Sequence, residues 1–375
     1  MRIGIEAQRI FRKNKHGMDY VVLQEIKEIQ KMDSRNEYFV FVAPGEDRCV
    51  DDSHNVHVIE TGGGFYPLWE QYSLPKAAAE LNLDMLHCTS NTAPLNCRLP
   101  LILTLHDIIF LEPRDKQNHS LYQNMGWLYR RLVVPRILKK CCRIITVSDF
   151  EKQNIISKLH IPEERMAMIY NGYNDWFRPF DDTTGTYKKY IKDKGYFFFL
   201  GNTDPKKNTE RTLVAYAKYL EQSTIGRPLL MADLDRHYLD DIISRNHIEP
   251  VREKIVMPGY IINSDLPSIY NNAFAFLYTS LRESFGIPLL EAMACGTPVI
   301  TSNTSSMPEI GGTDAILVDP ENPEEIATMM LRLENDTDFY AKQQKIGLSR
   351  AENFSWTHTA EQLLMLYEQV YKENQ

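Results

Sequence analysis

Two glutamates eight positions apart, Glu283 and Glu291, bracket the stretch of this chain best equipped for chemistry. Between them run Ser284, Phe285, Gly286, Ile287, Pro288, Leu289 and Leu290. A glycine beside a proline in apolar company suits a loop that turns into a helix. Glycine lets backbone approach a ligand closely, and proline at the first helical position lacks an N–H that would have had no partner there. The remaining free amides and the helix dipole make an anion site. Glu291 in the first helical turn could reach hydroxyls of a bound molecule, with Glu283 on the loop. Taken alone, the pair fits equally well an acid placed for the dipole and a solvated loop charge.

A second loop has the same character. Gly201 and Asn202 precede Thr203, Asp204, Pro205, Lys206, Lys207 and Asn208. Two lysines add mobile positive charge to the dipole of the helix that follows. His106, next to Asp107, closes an apolar strand and is expected at a cleft. Gly17 lies in the first strand-to-helix turn. Asp233-Leu234-Asp235 spells a pattern that can hold a divalent cation on a diphosphate. Here it opens a polar turn, so no metal site is expected. Gly62-Gly63-Gly64 lacks the spacing and lysine of a phosphate loop and reads as a turn.

The elements that must carry these residues alternate. Apolar residues 273–278 predict a buried strand, 289–294 a short helix ended by Gly296, and 299–302 a second strand. Strand, helix and strand at this spacing predict parallel pairing in a sheet covered on both faces. Strands at 2–7, 37–43, 56–59, 85–88, 101–105, 143–147 and 166–170 repeat the pattern, with helices over 19–32, 69–81 and 150–159. After a polar, weakly patterned stretch at 180–194 it restarts with strands 196–200, 229–232 and 255–258 and a helix over 209–220. The fold class is therefore α/β, with an N-terminal domain at 1–178, a second at 190–355 and a closing helix in 356–375 that packs back on the first. In open sheets of this kind ligands bind outside the carboxyl ends of the strands, where both loops fall.

The two glutamates, with Phe-Gly-Ile-Pro-Leu between them and Ala-Met-Ala-Cys-Gly-Thr-Pro-Val after, closely resemble the signature of the family 4 retaining glycosyltransferases of the GT-B fold. The resemblance implies two Rossmann-like domains with a cleft between them, the first for the acceptor and the second for the nucleotide sugar. It implies that Glu283 contacts the donor sugar and Glu291 the ribose, while the backbone of Phe285, Gly286, Ile287, Pro288, Leu289 and Leu290 receives sugar hydroxyls and phosphate. Gly201, Asn202, Lys206 and Lys207 match the family's glycine and basic pair, although arginine is usual where Lys206 stands. Tyr260 falls beside the nucleobase, Gly17 near the diphosphate, and His106 near the transferred sugar. His106, Lys207 and Glu283 are the catalytic candidates. The implied activity is metal-independent, cofactor-free transfer of a hexose from a GDP- or UDP-linked donor to a glycan or lipid-linked acceptor.

Composition bounds the reading. The chain has 375 residues, 25% charged and 43% hydrophobic, with a net charge of −8 that argues against a nucleic-acid partner. Six cysteines at no metal spacing, with a first strand at the N-terminus, lead us to expect a reduced, cytoplasmic protein. Residues 116–147 are the exception in charge, holding seven lysines and arginines and no acid. Such a basic, aromatic-studded run can lie on an anionic membrane face, and equally on a solvated helix. A nucleotide-sugar epimerase, a phosphorylase and a non-catalytic sugar-binding protein are the alternatives. A phosphorylase would need a pyridoxal-phosphate lysine motif that is not evident.

Overall fold

The computed structural model describes residues 1–62, 64–112 and 121–375, so Gly63 and Lys116, which the sequence reading used, lie outside the described residues. The chain divides into two compact units, Met1–Gly172 with Trp356–Gln375, and Tyr173–Ser355.

In the first unit seven strands form one sheet: β1 (Arg2–Glu6), β2 (Glu37–Val42), β3 (Val56–Glu60), β4 (Met85–Cys88), β5 (Leu101–Thr104), β6 (Arg143–Thr146) and β7 (Met166–Met168). Their order is β3-β2-β1-β4-β5-β6-β7 and every pairing is parallel. The direction of winding reverses between β1 and β4, which makes that junction the switch point. One face packs on helix Gly17–Met32 and on the final helix, Trp356–Glu373, whose Ala360, Leu363, Leu366, Tyr367 and Val370 join Ile3, Ile5 and Val22 in a single core. The opposite face buries Trp69, Leu74, Val134 and Ile137.

Six strands build the second unit: β8 (Tyr196–Leu200), β9 (Leu229–Ala232), β10 (Ile255–Gly259), β11 (Ala273–Tyr278), β12 (Val299–Ser302) and β13 (Ile316–Val318). They run β10-β9-β8-β11-β12-β13, again all parallel. Here the switch point falls between β8 and β11. Both loops singled out in the sequence leave the carboxyl ends of those two strands. Aromatic β8 is buried because both its faces are covered, as parallel sheets require.

Several boundaries differ from the sequence reading for physical reasons. The polar stretch after residue 172 packs with the second unit: Asn271 Nδ2 donates to the Arg178 carbonyl at 3.0 Å, the Tyr187 amide to Ser268 at 2.9 Å, and Lys189 pairs with Asp265 at 3.0 Å. The helix expected over 69–81 is three pieces, Tyr66–Leu68, a π-helical Trp69–Ser73 and Leu74–Ala79.

Candidate active site

The loop after β8 is held in shape by its own side chains. Asp204 accepts the Lys206 amide at 3.1 Å, Asn202 accepts the Asp204 amide at 2.8 Å, and Thr209 donates to the Asn202 carbonyl at 2.6 Å. Asn208 adopts a left-handed backbone, φ +60°, one that asparagine tolerates better than most residues. Its buried amide donates to the carbonyls of Thr279 at 3.0 Å and Pro320 at 2.6 Å, tying this loop to the end of β11. The Leu281 amide donates to the Lys206 carbonyl at 2.7 Å, a second tie. Gly201 is buried, and a Cβ there would come to 3.0 Å from Leu234.

The loop after β11 turns on Gly286, whose φ of +104° few side chains tolerate and whose added Cβ would sit 2.7 Å from Met307. Helix Ile287–Ala294 starts there without a side-chain cap. Two expectations are corrected. Pro288 is the second helical residue, because the Leu289 amide already donates to the Gly286 carbonyl at 3.0 Å. Glu291 is consequently one turn further in than the first turn. Behind the loop, Ser305 accepts the Glu283 amide at 3.1 Å, and Ser306 donates to the carbonyls of Glu283 at 3.0 Å and Phe285 at 3.2 Å.

These ties bring the candidate charges together. Lys207 Nζ lies 2.6 Å from Glu283 Oε1, and 5.9 Å from the centre of the Tyr278 ring. Both partners stay partly open, their side chains 26% and 13% exposed. Beside the pair is a cavity of about 230 Å³ lined by Gly201, Asn202, Lys207, Tyr278, Ser280 and Pro288, among others. Asp233 also lines it, at φ +56°, with its amide donating to Gly259 at 3.0 Å.

Not every candidate faces this cavity. The side chains of Phe285, Leu289 and Leu290 are buried in the core, so only their backbone can serve a ligand. Lys206 pairs with Asp204 of its own loop at 3.2 Å. Ile287 is half-buried. Tyr260 follows β10 and is 64% exposed. Glu291 lies 3.5 Å from the buried Tyr270 hydroxyl; burial pushes its carboxyl up to about 8, and the hydrogen bond from Tyr270 offsets part of that rise. Asp235 caps the helix Arg236–Asn246 by accepting the Tyr238 amide at 3.0 Å, which accounts for the second aspartate of Asp-x-Asp. Among the described residues no cluster of three metal-ligating side chains occurs.

In the first unit, Gly17 opens helix Gly17–Met32 beside a capping box in which the His16 amide donates to Asp19 at 2.9 Å. It is exposed, with open space where a Cβ would go. His106 is 6% exposed rather than presented to solvent. Its amide donates to Asn91 at 2.7 Å and its Nε2 lies 3.0 Å from the Thr89 carbonyl. A carbonyl only accepts, so Nε2 carries the hydrogen and Nδ1 is left as the acceptor. Burial holds the imidazole below its ordinary value, in the neutral form. At the end of β1, Glu6 is fully buried and accepts the amides of Gln8 at 3.1 Å and Thr89 at 3.2 Å. Tyr278, Ser305, Ser306 and Glu6 were missed from sequence; Asn208, read there as part of the second loop, proves to tie that loop to the end of β11.

Known proteins resemble this chain in sequence and in fold. The family description "Glycosyl transferases group 1" matches residues 187–350, and "Glycosyltransferase Family 4" matches residues 16–176. The O-antigen chain mannosyltransferase B of Escherichia coli is 31% identical over 228 residues, 60% of this chain and 60% of that protein. The chain thus matches about 60% of that relative's length. Among solved structures, the sucrose-phosphate synthase of Thermosynechococcus elongatus superposes with a TM-score of 0.76 at 17% identity, over 99% of both chains. Anabaena HepE, solved in complex with UDP and glucose, superposes with a TM-score of 0.71 at 16% identity, over 98% of this chain and 100% of that one. With both units matched and the GT-B architecture shared end to end, the chain belongs to the family 4 glycosyltransferases.

Proposed function

We propose that this protein transfers a hexose from a nucleoside diphosphate donor to a carbohydrate or lipid-linked acceptor, with retention of anomeric configuration and without a metal ion. The observation that carries the reading is the Lys207–Glu283 pair at the mouth of the cavity between β8 and β11. A departing diphosphate must have its growing charge met by fixed cations or dipoles. Lys207 and the uncapped start of helix Ile287–Ala294 provide both. The donor's phosphates compete with Glu283 for the Lys207 ammonium, and the released carboxylate then accepts hydrogen bonds from sugar hydroxyls. Glu291, deeper along the same helix, takes the ribose, and Tyr260 lies by the base. The first unit binds the acceptor, with His106 Nδ1 as a hydrogen-bond acceptor and Gly17 leaving room for the reacting groups. The names of the relatives support this reading: one is an O-antigen mannosyltransferase, and one was solved with UDP and glucose. A lipid-linked acceptor would place the protein at a membrane face, with contact through residues 116–147.

Purified protein mixed separately with labelled GDP-mannose and UDP-glucose tests the reading directly. Release of one nucleoside diphosphate, undiminished by EDTA, supports metal-independent transfer, and NMR of the product reports the anomer. Hydrolysis or transfer of neither donor overturns it.

A further inference from the structure

Six of the thirteen exposed large hydrophobic side chains of the described residues sit on two short segments of the first unit. Phe65, Leu68 and Tyr72, on the first two helical pieces and at their start, are 50%, 60% and 64% exposed. Met125, Leu128 and Leu132, on helix Leu121–Ile137, are 43%, 53% and 50% exposed. Met125, Leu128 and Leu132 follow the spacing i, i+3, i+7, which puts them on one side of their helix, while Phe65 just precedes the first piece and Leu68 and Tyr72 are four apart across the next. The next positions along each stripe are basic and exposed: Lys76 on one, Arg136 and Lys139 on the other.

The two segments adjoin. Gln71 Nε2 donates to the Tyr129 hydroxyl at 2.8 Å, Tyr129 in turn donates to Glu70, and the rings of Tyr66 and Tyr129 meet edge to face at 6.4 Å. Glu70 is fully buried in these bonds, so the acid between the stripes adds nothing to the surface. The outcome is a paired apolar ridge with a basic end on a protein whose net charge is −8.

We infer that this ridge docks on an anionic lipid bilayer, with Phe65, Leu68, Tyr72, Met125, Leu128 and Leu132 at the acyl boundary. Lys76, Arg136 and Lys139 meet the headgroups. Apolar area and cationic attraction together set the strength of such interfacial binding. An apolar face alone would suit many partners; the basic end selects a negatively charged one. Among the described residues no helix is long and apolar enough to cross a membrane, so the contact is one of lying on the surface. The inference deepens the membrane part of the proposed function but needs neither donor nor acceptor for its test.

Flotation of the full chain with vesicles decides it. Vesicles of phosphatidylglycerol in phosphatidylcholine should carry the protein to the top of the gradient, and pure phosphatidylcholine about tenfold less. Leu68→Glu with Leu128→Glu, and separately Arg136→Glu with Lys139→Glu, should each lower partitioning about tenfold. Circular dichroism checks that both variants stay folded, and Leu68→Ala with Leu128→Ala provides a milder arm that should lower partitioning by less. Wild-type protein left at the bottom with both vesicles, equal binding to both, or variants that float like wild type would each overturn the inference. So would self-association of the wild type, abolished by the same variants, in place of vesicle binding. None of these results depends on glycosyl transfer, so a failure here leaves the proposed reaction to its own assay.

Discussion

The two units share one strand order around their switch points, yet the chain finishes those points in opposite ways. In the first, buried groups at the ends of β1, β4 and β5 hydrogen-bond to one another. Glu6 is held by Gln8 and Thr89, and His106 by Thr89 and Asn91, all of them buried. In the second, the ends of β8 and β11 hold an ion pair that is partly open beside a cavity. A buried polar network fixes shape, whereas a charged pair near solvent can exchange partners. The same topology thus gives one buried polar network and one partly open ion pair, the part that the proposed donor would engage.

Substitution at Lys207 should produce the largest effect. Lys207→Ala is expected to lower turnover at saturating donor by about 10² or more. Its melting temperature should move by no more than about 3 °C, since the pair is partly solvated. A loss of only a few-fold would remove Lys207 from the mechanism and blunt the contrast between the units. His106→Ala should show the reverse balance. It strands the Thr89 carbonyl and opens a cavity, costing about 2–4 kcal/mol in denaturant unfolding together with activity. Unchanged stability there would mean the first switch point is less self-supporting than its hydrogen bonds indicate.

A smaller effect concerns protons. With its carboxyl pushed up to about 8, Glu291 is mostly protonated at neutral pH. Ribose hydroxyls donate best to the ionised form, so nucleoside diphosphate binding near pH 7 should release about one proton and tighten as pH rises toward 8. Calorimetry in buffers of different ionisation enthalpy reads this; a release of zero would remove Glu291 as a carboxylate ligand. The smallest expected change is at Glu25, buried on helix Gly17–Met32 and raised by that burial from 4.5 to about 8. The folded state keeps a proton that the unfolded chain gives up across that interval. Stability from this group is therefore intact below pH 4.5 and falls as pH climbs to about 8. Glu25→Gln should flatten that slope and raise unfolding free energy at pH 8 by on the order of 2 kcal/mol, with turnover unchanged.

Much of the second sheet was legible in the sequence because most of its strands are short apolar runs, such as Tyr196–Leu200 before Gly201 and Ala273–Tyr278 before Thr279. The strand at residues 273–278 and its neighbour at 299–302 fall where hydrophobicity ends. Helix starts were less so: Ile287 is already helical because Gly286 can take a positive φ, and a glycine's backbone choice leaves no mark in composition. The depth of His106 was illegible for another reason. Its burial comes from residues 89–91, brought alongside by strand pairing rather than by sequence. Likewise the bonds that join Ser305, as acceptor, and Ser306, as donor, to the Glu283 loop depend on how β12 sits beside β11. The π-helical turn at Trp69–Ser73 follows a fully buried tryptophan and glutamate that no periodicity announces.

The return of helix Trp356–Glu373 to the first sheet has a bearing on how the molecule is made. Synthesis runs from the amino end, so strands β1 to β7 emerge while the side chains that cover one of their faces are still hundreds of residues away. Ala360, Leu363, Tyr367 and Val370, fully buried in the finished protein, leave the ribosome only after the whole of the second unit. Until then Ile3, Ile5 and Val22 lie without their lid, a state in which nascent chains call on chaperones and stick to one another. The second unit, contiguous in the chain, can fold first, so the half begun earliest is the half completed last.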